Sequence, residues 1–150
     1  MNRTVPDNIS VLLVEDNEED AELTLRVFRQ YHFANHIHVA RDGAEALDCL
    51  FGMGSYADRS PCRQTKLILL DLKLPKVDGL EVLRRCKSDD RTKSIPVVML
   101  TSSREEQDVI KSYELGVNSY IVKPVDFEQF VQSIGQVGLY WVLMNQPPRI

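Results

Sequence analysis

The 150-residue chain is poor in cysteine and has no long hydrophobic run. Its three cysteines, Cys49, Cys62 and Cys86, are widely spaced and odd in number, which fits neither a disulfide framework nor a CxxC metal site. We therefore expect free thiols in a reducing compartment. The longest apolar run, Val137 to Met144, has eight residues, far below the roughly 20 that a membrane-spanning helix needs. The first apolar stretch is interrupted by Glu15 and is too short for a signal peptide. The sequence thus predicts a cytoplasmic location without membrane attachment.

The chain also lacks an excess of positive charge. Lys and Arg number 18 against 22 Asp and Glu, which gives a formal net charge of −4. Nucleic-acid binding depends on clustered positive charge, so this composition argues against a nucleic-acid partner. Hydrophobic residues make up 43% and charged residues 27% of the chain, as in ordinary globular proteins. At this length we expect one domain over residues 1–150, with its core from about residue 9 to residue 144.

Short apolar runs alternate with longer stretches of helical periodicity. The runs have the length of strands, and their continuous apolarity is typical of strands buried on both faces of a parallel sheet. They are Val11–Val14, Ile37–Ala40, Leu67–Leu70, Val97–Leu100 and Tyr120–Val122. Five β–α units predict an α/β fold with a doubly wound, five-stranded parallel sheet of the flavodoxin-like (βα)5 type and strand order 2-1-3-4-5. The segment Gly52–Lys66 has no periodicity and is predicted to be an exposed loop.

Polar residues directly follow four of the apolar runs. Glu15 and Asp16 follow the first run, Asp71 the third, Thr101 the fourth and Lys123 the fifth. Because ligands of open α/β sheets bind at the carboxyl ends of the strands, we expect these side chains to converge at one rim. A carboxylate that ends a buried run, as Asp71 does, is costly without a partner. The four strand ends together therefore favour a functional site.

Each of these polar residues also has a purely structural interpretation. Asn17 can cap the first helix, and the acids of Glu18–Glu22 can be charges favoured near a helix N-terminus. Thr101 taken alone is most often a capping residue, and Lys123 taken alone is most often a solvated charge. We interpret Glu18–Glu22 as helix-end charges that face solvent. The two acids at the end of the first strand are assigned to the site instead.

Five motifs in this order resemble the receiver domain of bacterial two-component response regulators. They are Val11 to Asn17, Leu69 to Pro75, Asp78-Gly79, Pro96 to Thr101 and Lys123-Pro124. The likeness runs from about Ile9 to Met144. Within this family the chain is most similar to the single-domain regulators that partner cyanobacterial and bacterial phytochrome kinases. The narrower resemblance is carried by Leu70 to Pro75, the long loop around Tyr56, Gly138 to Trp141 and Pro147-Pro148.

The resemblance implies that Asp71 accepts a phosphoryl group beside a bound Mg²⁺ ion. The metal ligands would be Asp16, Asp71 and the backbone carbonyl of Lys73, with Glu15 bound through a water molecule, and Mn²⁺ could replace Mg²⁺. The charges agree with this expectation. The three carboxylates together with Lys123 carry a formal charge of −2, which would repel a phosphoryl dianion until a divalent cation binds.

The resemblance also implies roles for the other residues of the rim. Thr101 and Lys123 would contact the phosphoryl group. Thr101 and Tyr120 would form a switch between two arrangements of the loops, whereas the alternative for Tyr120 is a solvent-exposed position on an edge strand. The peptide bond between Lys123 and Pro124 would be cis, as in relatives.

The implied function is that of a signalling phosphoacceptor rather than an enzyme. The partner would be a sensor histidine kinase and, within the narrower group, a phytochrome. The output would be protein contact without a DNA-binding domain. We expect a homodimer through the fourth helix, the fifth strand and the fifth helix, with Tyr140 and Trp141 near the interface. The alternative is that this end of the chain packs on its own domain.

Two other functions remain open at this point. A receiver can act as a scaffold that never takes a phosphoryl group, although the complete set of Asp16, Asp71, Thr101 and Lys123 argues against this. A phosphatase of the haloacid-dehalogenase type also uses an Asp nucleophile with Mg²⁺. That fold requires a second Asp two residues after the nucleophile, a position that Lys73 occupies here.

Overall fold

The apolar runs form the strands of one parallel sheet. The computed structural model describes residues 10–30, 37–57 and 65–123, together with residues 126, 128, 129 and 132. Its strands are β1 (Val11–Val14), β2 (Ile37–Ala40), β3 (Leu67–Leu70), β4 (Val97–Thr101) and β5 (Ser119–Val122). All neighbouring strands are parallel, in the order β2-β1-β3-β4-β5. The predicted fold class and strand order are therefore confirmed.

In the described residues, four α-helices connect these strands. They are α1 (Glu18–Gln30), α2 (Gly43–Phe51), α3 (Gly79–Ser88) and α4 (Glu106–Glu114), and a 3₁₀ turn (Gly54–Tyr56) follows α2. The predicted cap of α1 is confirmed, because the backbone N–H of Asp20 donates to Asn17 Oδ1 at 2.9 Å. Asp42 and Asp78 cap α2 and α3 in the same way. None of the helices in the described part of the chain is long and apolar enough to cross a membrane.

Helices cover both faces of the sheet. Along β1, Leu12 and Val14 belong to one apolar cluster, whereas Val11 and Leu13 belong to another, because successive side chains of a strand point to opposite faces. Side chains of α2 and α3 complete the first cluster, and side chains of α1, including Phe28, complete the second. Burial on both faces explains why β1 and β3 consist of apolar residues without alternation.

The segment after α2 differs from its predicted form. Gly52–Lys66 was expected to be exposed, but Tyr56 is only 3% exposed. Its hydroxyl lies 2.7 Å from His38 Nε2 on β2 and donates to Glu45 Oε2 on α2 at 3.1 Å. A tyrosine ring can be buried when its hydroxyl finds such partners. The prediction is therefore wrong at Tyr56, and residues 58–64 lie outside the described part of the chain.

The cysteines also differ in part from expectation. Cys86 is free and buried, as predicted, and burial raises the pKa of its thiol. Cys49 is disulfide-bonded, so the prediction of three free thiols is wrong at this residue. Wide sequence spacing does not exclude a disulfide, because the fold can bring distant cysteines together.

Two glycines let helices begin very close to the segment that follows β3. The N–H of Gly79 donates to the carbonyl of Leu72 at 2.9 Å, and a Cβ atom at Gly79 would lie 2.1 Å from the carbonyl oxygen of Asp71. A Cβ atom at Gly43 would similarly lie 1.7 Å from the carbonyl oxygen of Val77. These contacts with backbone atoms fix the loop that carries Asp71 against the first turns of α2 and α3.

We predict that Gly79→Ala destabilises the protein by ~1–3 kcal/mol, because the added methyl group must displace backbone atoms rather than a flexible side chain. Thermal unfolding should show a melting temperature lower by roughly 2–4 °C for each kcal/mol. Gln107→Ala, at an exposed position of α4, is the control and should change stability by no more than ~0.5 kcal/mol. Equal melting temperatures for the two variants would contradict the close packing at Gly79.

Candidate functional site

The register of the strands brings the predicted residues to one rim of the sheet. Val14 pairs with Leu70, so Glu15 and Asp71 leave neighbouring strands at the same level. The N–H of Asp71 continues this ladder by donating to the Val14 carbonyl at 3.1 Å. On the other side, Thr101 pairs with Val122, and the N–H of Lys123 donates to the Thr101 carbonyl at 2.9 Å. The site is thus assembled by parallel strands that end together.

Three carboxylates form a cluster at this rim. Glu15, Asp16 and Asp71 each offer an oxygen atom, and these oxygens all lie within 4.8 Å of one another. Glu15 is 2% and Asp71 7% exposed, whereas Asp16 is exposed to solvent. A buried pair of carboxylates with a third at the surface supplies the hard oxygen donors that Mg²⁺ and Mn²⁺ prefer. The cluster therefore fits a divalent cation that enters from the solvent side.

Lys123 makes ion pairs with three carboxylates. Its Nζ lies 2.5 Å from Glu15 Oε1, 3.0 Å from Asp71 Oδ2 and 2.9 Å from Asp20 Oδ2. Burial alone would lower the pKa of Lys123, but hydrogen bonds to Glu15 and Asp20 and the charge of Asp71 outweigh it and raise the pKa. The ammonium group therefore stays charged and balances part of the negative charge of the cluster.

The surroundings of Glu15 raise the pKa of its carboxyl group. Burial raises the pKa of Glu15 from 4.5 to about 7; the hydrogen bond from Lys123 counteracts this, and the charge of Asp71 adds to it. The N–H of Asn17 also donates to Glu15 Oε2 at 3.2 Å. Burial thus disfavours the ionised form of Glu15, and the neighbouring charge of Asp71 disfavours it further.

Asp20 belongs to this network, which sequence analysis missed. It was grouped with the solvent-facing charges of Glu18–Glu22, yet its carboxylate contacts Lys123. Glu18 and Glu19 are exposed, as expected. Asp20 lies three residues after the cap Asn17, in the first turn of α1, where the helix passes over the rim. Position in the first turn was a visible signal, but nothing in the sequence shows which acid of that turn faces Lys123.

The segment after β4 lies beside Asp71. Thr101 is buried, and its Oγ1 accepts a hydrogen bond from the N–H of Ser103 at 3.3 Å. The Ser103 hydroxyl donates to Asp108 Oδ2 at 2.5 Å. The Tyr120 hydroxyl donates to the Ser103 carbonyl at 3.1 Å. Tyr120 is therefore half-buried on the edge strand β5 and bound to this segment.

Open space adjoins the phosphoacceptor candidate. A cavity of about 380 Å³ is lined by Asp71, Lys73, Thr101 and residues 102–105. A second cavity of about 350 Å³ next to Asp16 also includes Lys73. The N–H of Lys73 donates to Asp71 Oδ1 at 3.3 Å. A small anion could therefore reach Asp71 although its side chain is nearly buried.

Three predicted features lie outside the described residues. Pro124, and with it the cis peptide bond after Lys123, is not among them, and neither are the dimer candidates Tyr140 and Trp141. These remain predictions.

Comparison with known proteins decides the family. The profile of the response regulator receiver domain matches residues 11–135. The chain belongs to this family.

Several relatives of this receiver domain have solved structures. The bacteriophytochrome response regulator AtBRR is 55% identical, with a TM-score of 0.81 over 94% of this chain and 100% of that chain. The Mn²⁺-bound form of response regulator Rcp1 is 38% identical, with a TM-score of 0.74 over 93% and 98%. The phosphorylated cyanobacterial phytochrome response regulator RcpA is 39% identical, with a TM-score of 0.74 over 90% and 94%. The receiver domain is thus similar to regulators named for phytochromes.

Curated sequences give a broader range of relatives. Response regulator Rcp1 of Synechocystis sp. is 40% identical over 132 residues, which are 88% of each chain. A probable methanogenesis regulatory protein, FilR2 of Methanothrix harundinacea, is 42% identical over 142 residues, 95% of this chain and 89% of that protein. Similarity at this level therefore extends beyond regulators with a phytochrome in their names.

We predict that Glu15→Gln makes the metal-free receiver domain more stable above pH 7. Glu15 ionises at about pH 4.5 in the unfolded chain and at about pH 7 in the folded protein. Between these values ionisation favours the unfolded chain, so the free energy of unfolding falls as the pH rises. Glutamine has the shape of a protonated glutamate and removes this loss. Thermal unfolding in EDTA should show a gain of at least ~1 kcal/mol, or roughly 2–4 °C, that disappears near pH 4.5.

Glu19→Gln is the matched control, because it removes the same charge from an exposed position of α1. A lower melting temperature of Glu15→Gln at any pH above about 7 would show that the ion pair with Lys123 outweighs the burial of Glu15.

Proposed function

We propose that this receiver domain is a phosphorylation-dependent response regulator that takes a phosphoryl group from a sensor histidine kinase on Asp71. The observation that carries the proposal is the position of the Lys123 ammonium, 3.0 Å from Asp71 Oδ2, beside three clustered carboxylates. The complete set of strand-end residues supports the proposal, and so does the phosphorylated relative RcpA.

The reaction requires only a nucleophile and charge compensation. A carboxylate oxygen of Asp71 attacks phosphorus and forms an acyl phosphate. The bond between phosphorus and the histidine nitrogen of the kinase breaks, and its electron pair stays with the imidazole. Positioning and electrostatic stabilisation account for most of the catalysis in such transfers. Lys123 supplies a fixed positive charge at the accepting oxygen, and the cavity next to Thr101 gives the phosphoryl group access.

We propose a Mg²⁺ site formed by Asp16, Asp71 and the backbone carbonyl of Lys73, with Glu15 bound through water; Mn²⁺ would also fit. The donor set supports this, as does the Mn²⁺-bound relative Rcp1. When bound, the cation neutralises phosphoryl oxygens and orients them. Together with Lys123, the carboxylates of Glu15, Asp16 and Asp71 contribute a formal charge of −2 before the ion binds.

Thr101 and Tyr120 are proposed to transmit the phosphorylation state. Thr101 Oγ1 accepts from the Ser103 N–H, and Tyr120 donates to the Ser103 carbonyl. If Thr101 turns its hydroxyl towards the phosphoryl group, Ser103 loses one contact and the arrangement held by Tyr120 changes. Phosphorylation then shifts a population between two arrangements of one segment.

The proposed kinase partner is a phytochrome, on the strength of the relatives AtBRR and RcpA. We further propose that the chain acts in the cytoplasm as a single domain over residues 1–150 and signals by protein contact without binding DNA. A homodimer through α4, β5 and the predicted fifth helix is part of this proposal. It is supported by Ile110 and Tyr113 of α4, which expose about half of their surface.

The alternatives have less support. A phosphatase of the haloacid-dehalogenase type would need an acid two residues after Asp71, where Lys73 stands instead and Leu72 between them is buried. A scaffold without phosphorylation would not need a half-buried lysine beside a buried aspartate, a pair whose desolvation is costly.

We predict that incubation with Mg²⁺ and acetyl phosphate adds one phosphoryl group, visible in the intact mass. Asp71→Asn should abolish the adduct because the amide is not a nucleophile, and EDTA should abolish it because the negative charge is then uncompensated. Asp90→Asn, the same substitution at an exposed position, should leave it unchanged.

Each other result favours a different function. An adduct that persists in Asp71→Asn would show that a residue other than Asp71 accepts the phosphoryl group. No adduct in any condition would support the scaffold, and continuous release of phosphate from many phosphate esters would support the phosphatase.

The partner is tested by phosphotransfer. We predict that an autophosphorylated bacterial phytochrome kinase passes its phosphoryl group to this receiver domain faster than a histidine kinase from an unrelated pathway does. Labelled protein is counted on gels over time, and Asp71→Asn is the control for transfer to another residue. Equal rates from the two kinases would contradict the phytochrome assignment while leaving the phosphoacceptor function intact.

A further inference from the structure

We infer that Asp20 is a positioning residue that holds Lys123 in the resting state and competes with the incoming phosphoryl group for it. The inference rests on the proposed function. It starts from the ion pair between Lys123 Nζ and Asp20 Oδ2 at 2.9 Å, which joins residues 103 positions apart in the sequence.

The lysine has no free proton for a new acceptor. An ammonium group has three N–H donors and no acceptor. The three carboxylates of Glu15, Asp20 and Asp71 lie at 2.5–3.0 Å from Lys123 Nζ and can accept all three. A phosphoryl oxygen that approaches Lys123 must therefore displace one of these carboxylates.

Asp20 is the partner that costs least to displace. Glu15 is 2% exposed, so without Lys123 it would be a buried, unpaired carboxylate. Asp71 is the proposed phosphoacceptor, so its carboxylate stays next to the phosphoryl group. The Asp20 side chain is 35% exposed, so water can replace the ammonium as its hydrogen-bond partner. Exchange of Asp20 for a phosphoryl oxygen is therefore the favoured path.

Asp20 also changes the charge of the site. With Asp20 included, the four carboxylates and Lys123 have a formal charge of −3 rather than −2, so one divalent cation leaves −1. Asp20 should thus strengthen cation binding and weaken the attraction of an anionic phosphodonor. The two effects have opposite signs, which a general loss of structure cannot produce.

Asp20→Asn tests this inference, because it keeps the shape of the side chain and removes its charge. At partly exposed sites we expect changes of roughly 3- to 10-fold. Calorimetric titration with MgCl₂ alone should show weaker binding of Mg²⁺ by that factor. Intact-mass kinetics at saturating Mg²⁺ should show faster phosphorylation by acetyl phosphate by a similar factor.

Two further variants make the result specific. Glu19→Gln removes a charge from the adjacent exposed position and should change both quantities by less than roughly twofold. Asp20→Glu restores the charge and should return both towards those of the parent protein. Thermal unfolding of each variant verifies that it is folded.

The outcomes separate the inference from the proposed function. If the parent protein takes no phosphoryl group, the proposed function fails and the competition at Lys123 fails with it. If the parent is phosphorylated but Asp20→Asn matches Glu19→Gln in both measurements, the inference alone is wrong. Weakening of both Mg²⁺ binding and phosphorylation in Asp20→Asn would also overturn it, because Asp20 would then support Lys123 without competing for it.

Discussion

The site depends on the ion pairs between the ammonium group of Lys123 and the carboxylates of Glu15 and Asp71. Glu15 and Asp71 leave adjacent strands at the same level and are both nearly buried. Two carboxylates in such a place repel each other and lose hydration, so they persist only with a positive partner. Lys123 provides it from β5, two strands away from β3 in the sheet order. The sheet thus has to hold β1, β3, β4 and β5 in register for the charges to balance.

Compensation by Lys123 is incomplete, because one ammonium group faces three clustered carboxylates whose oxygens are of the kind that divalent cations prefer. Burial, with a smaller contribution from the charge of Asp71, raises the pKa of Glu15. A divalent cation is the simplest counterpart, since the exposed Asp16 gives it a path from solvent to the buried pair. A phosphoryl dianion would find this rim attractive only after such compensation. In the proposed function, the binding of a metal ion, the binding of a phosphoryl group and the position of Lys123 therefore all depend on the charges of the same carboxylates.

A short segment after β4 joins the site to α4 by hydrogen bonds. Thr101 ends β4 with its side chain at the site. The N–H of Ser103, two residues later, donates to Thr101 Oγ1, and the carbonyl of Ser103 accepts from the Tyr120 hydroxyl. Ser103 also donates to Asp108 in α4. One side of the site is thus joined by hydrogen bonds to the helix that exposes Ile110 and Tyr113.

The sequence alone determined the strands, their parallel arrangement and the five polar residues at four strand ends, because continuous apolar runs and the polar residues that end them are local features. It also determined the cap at Asn17. The tertiary structure decided the rest. Asp20 was grouped with its solvent-facing neighbours, since helical position does not show which acid of a turn meets a lysine 103 residues later. The burial of Tyr56 and the bonding of Cys49 likewise depend on partners that only the folded chain brings together. The local sequence pattern indicates which chemistry a residue can provide, whereas long-range packing decides which residues it contacts.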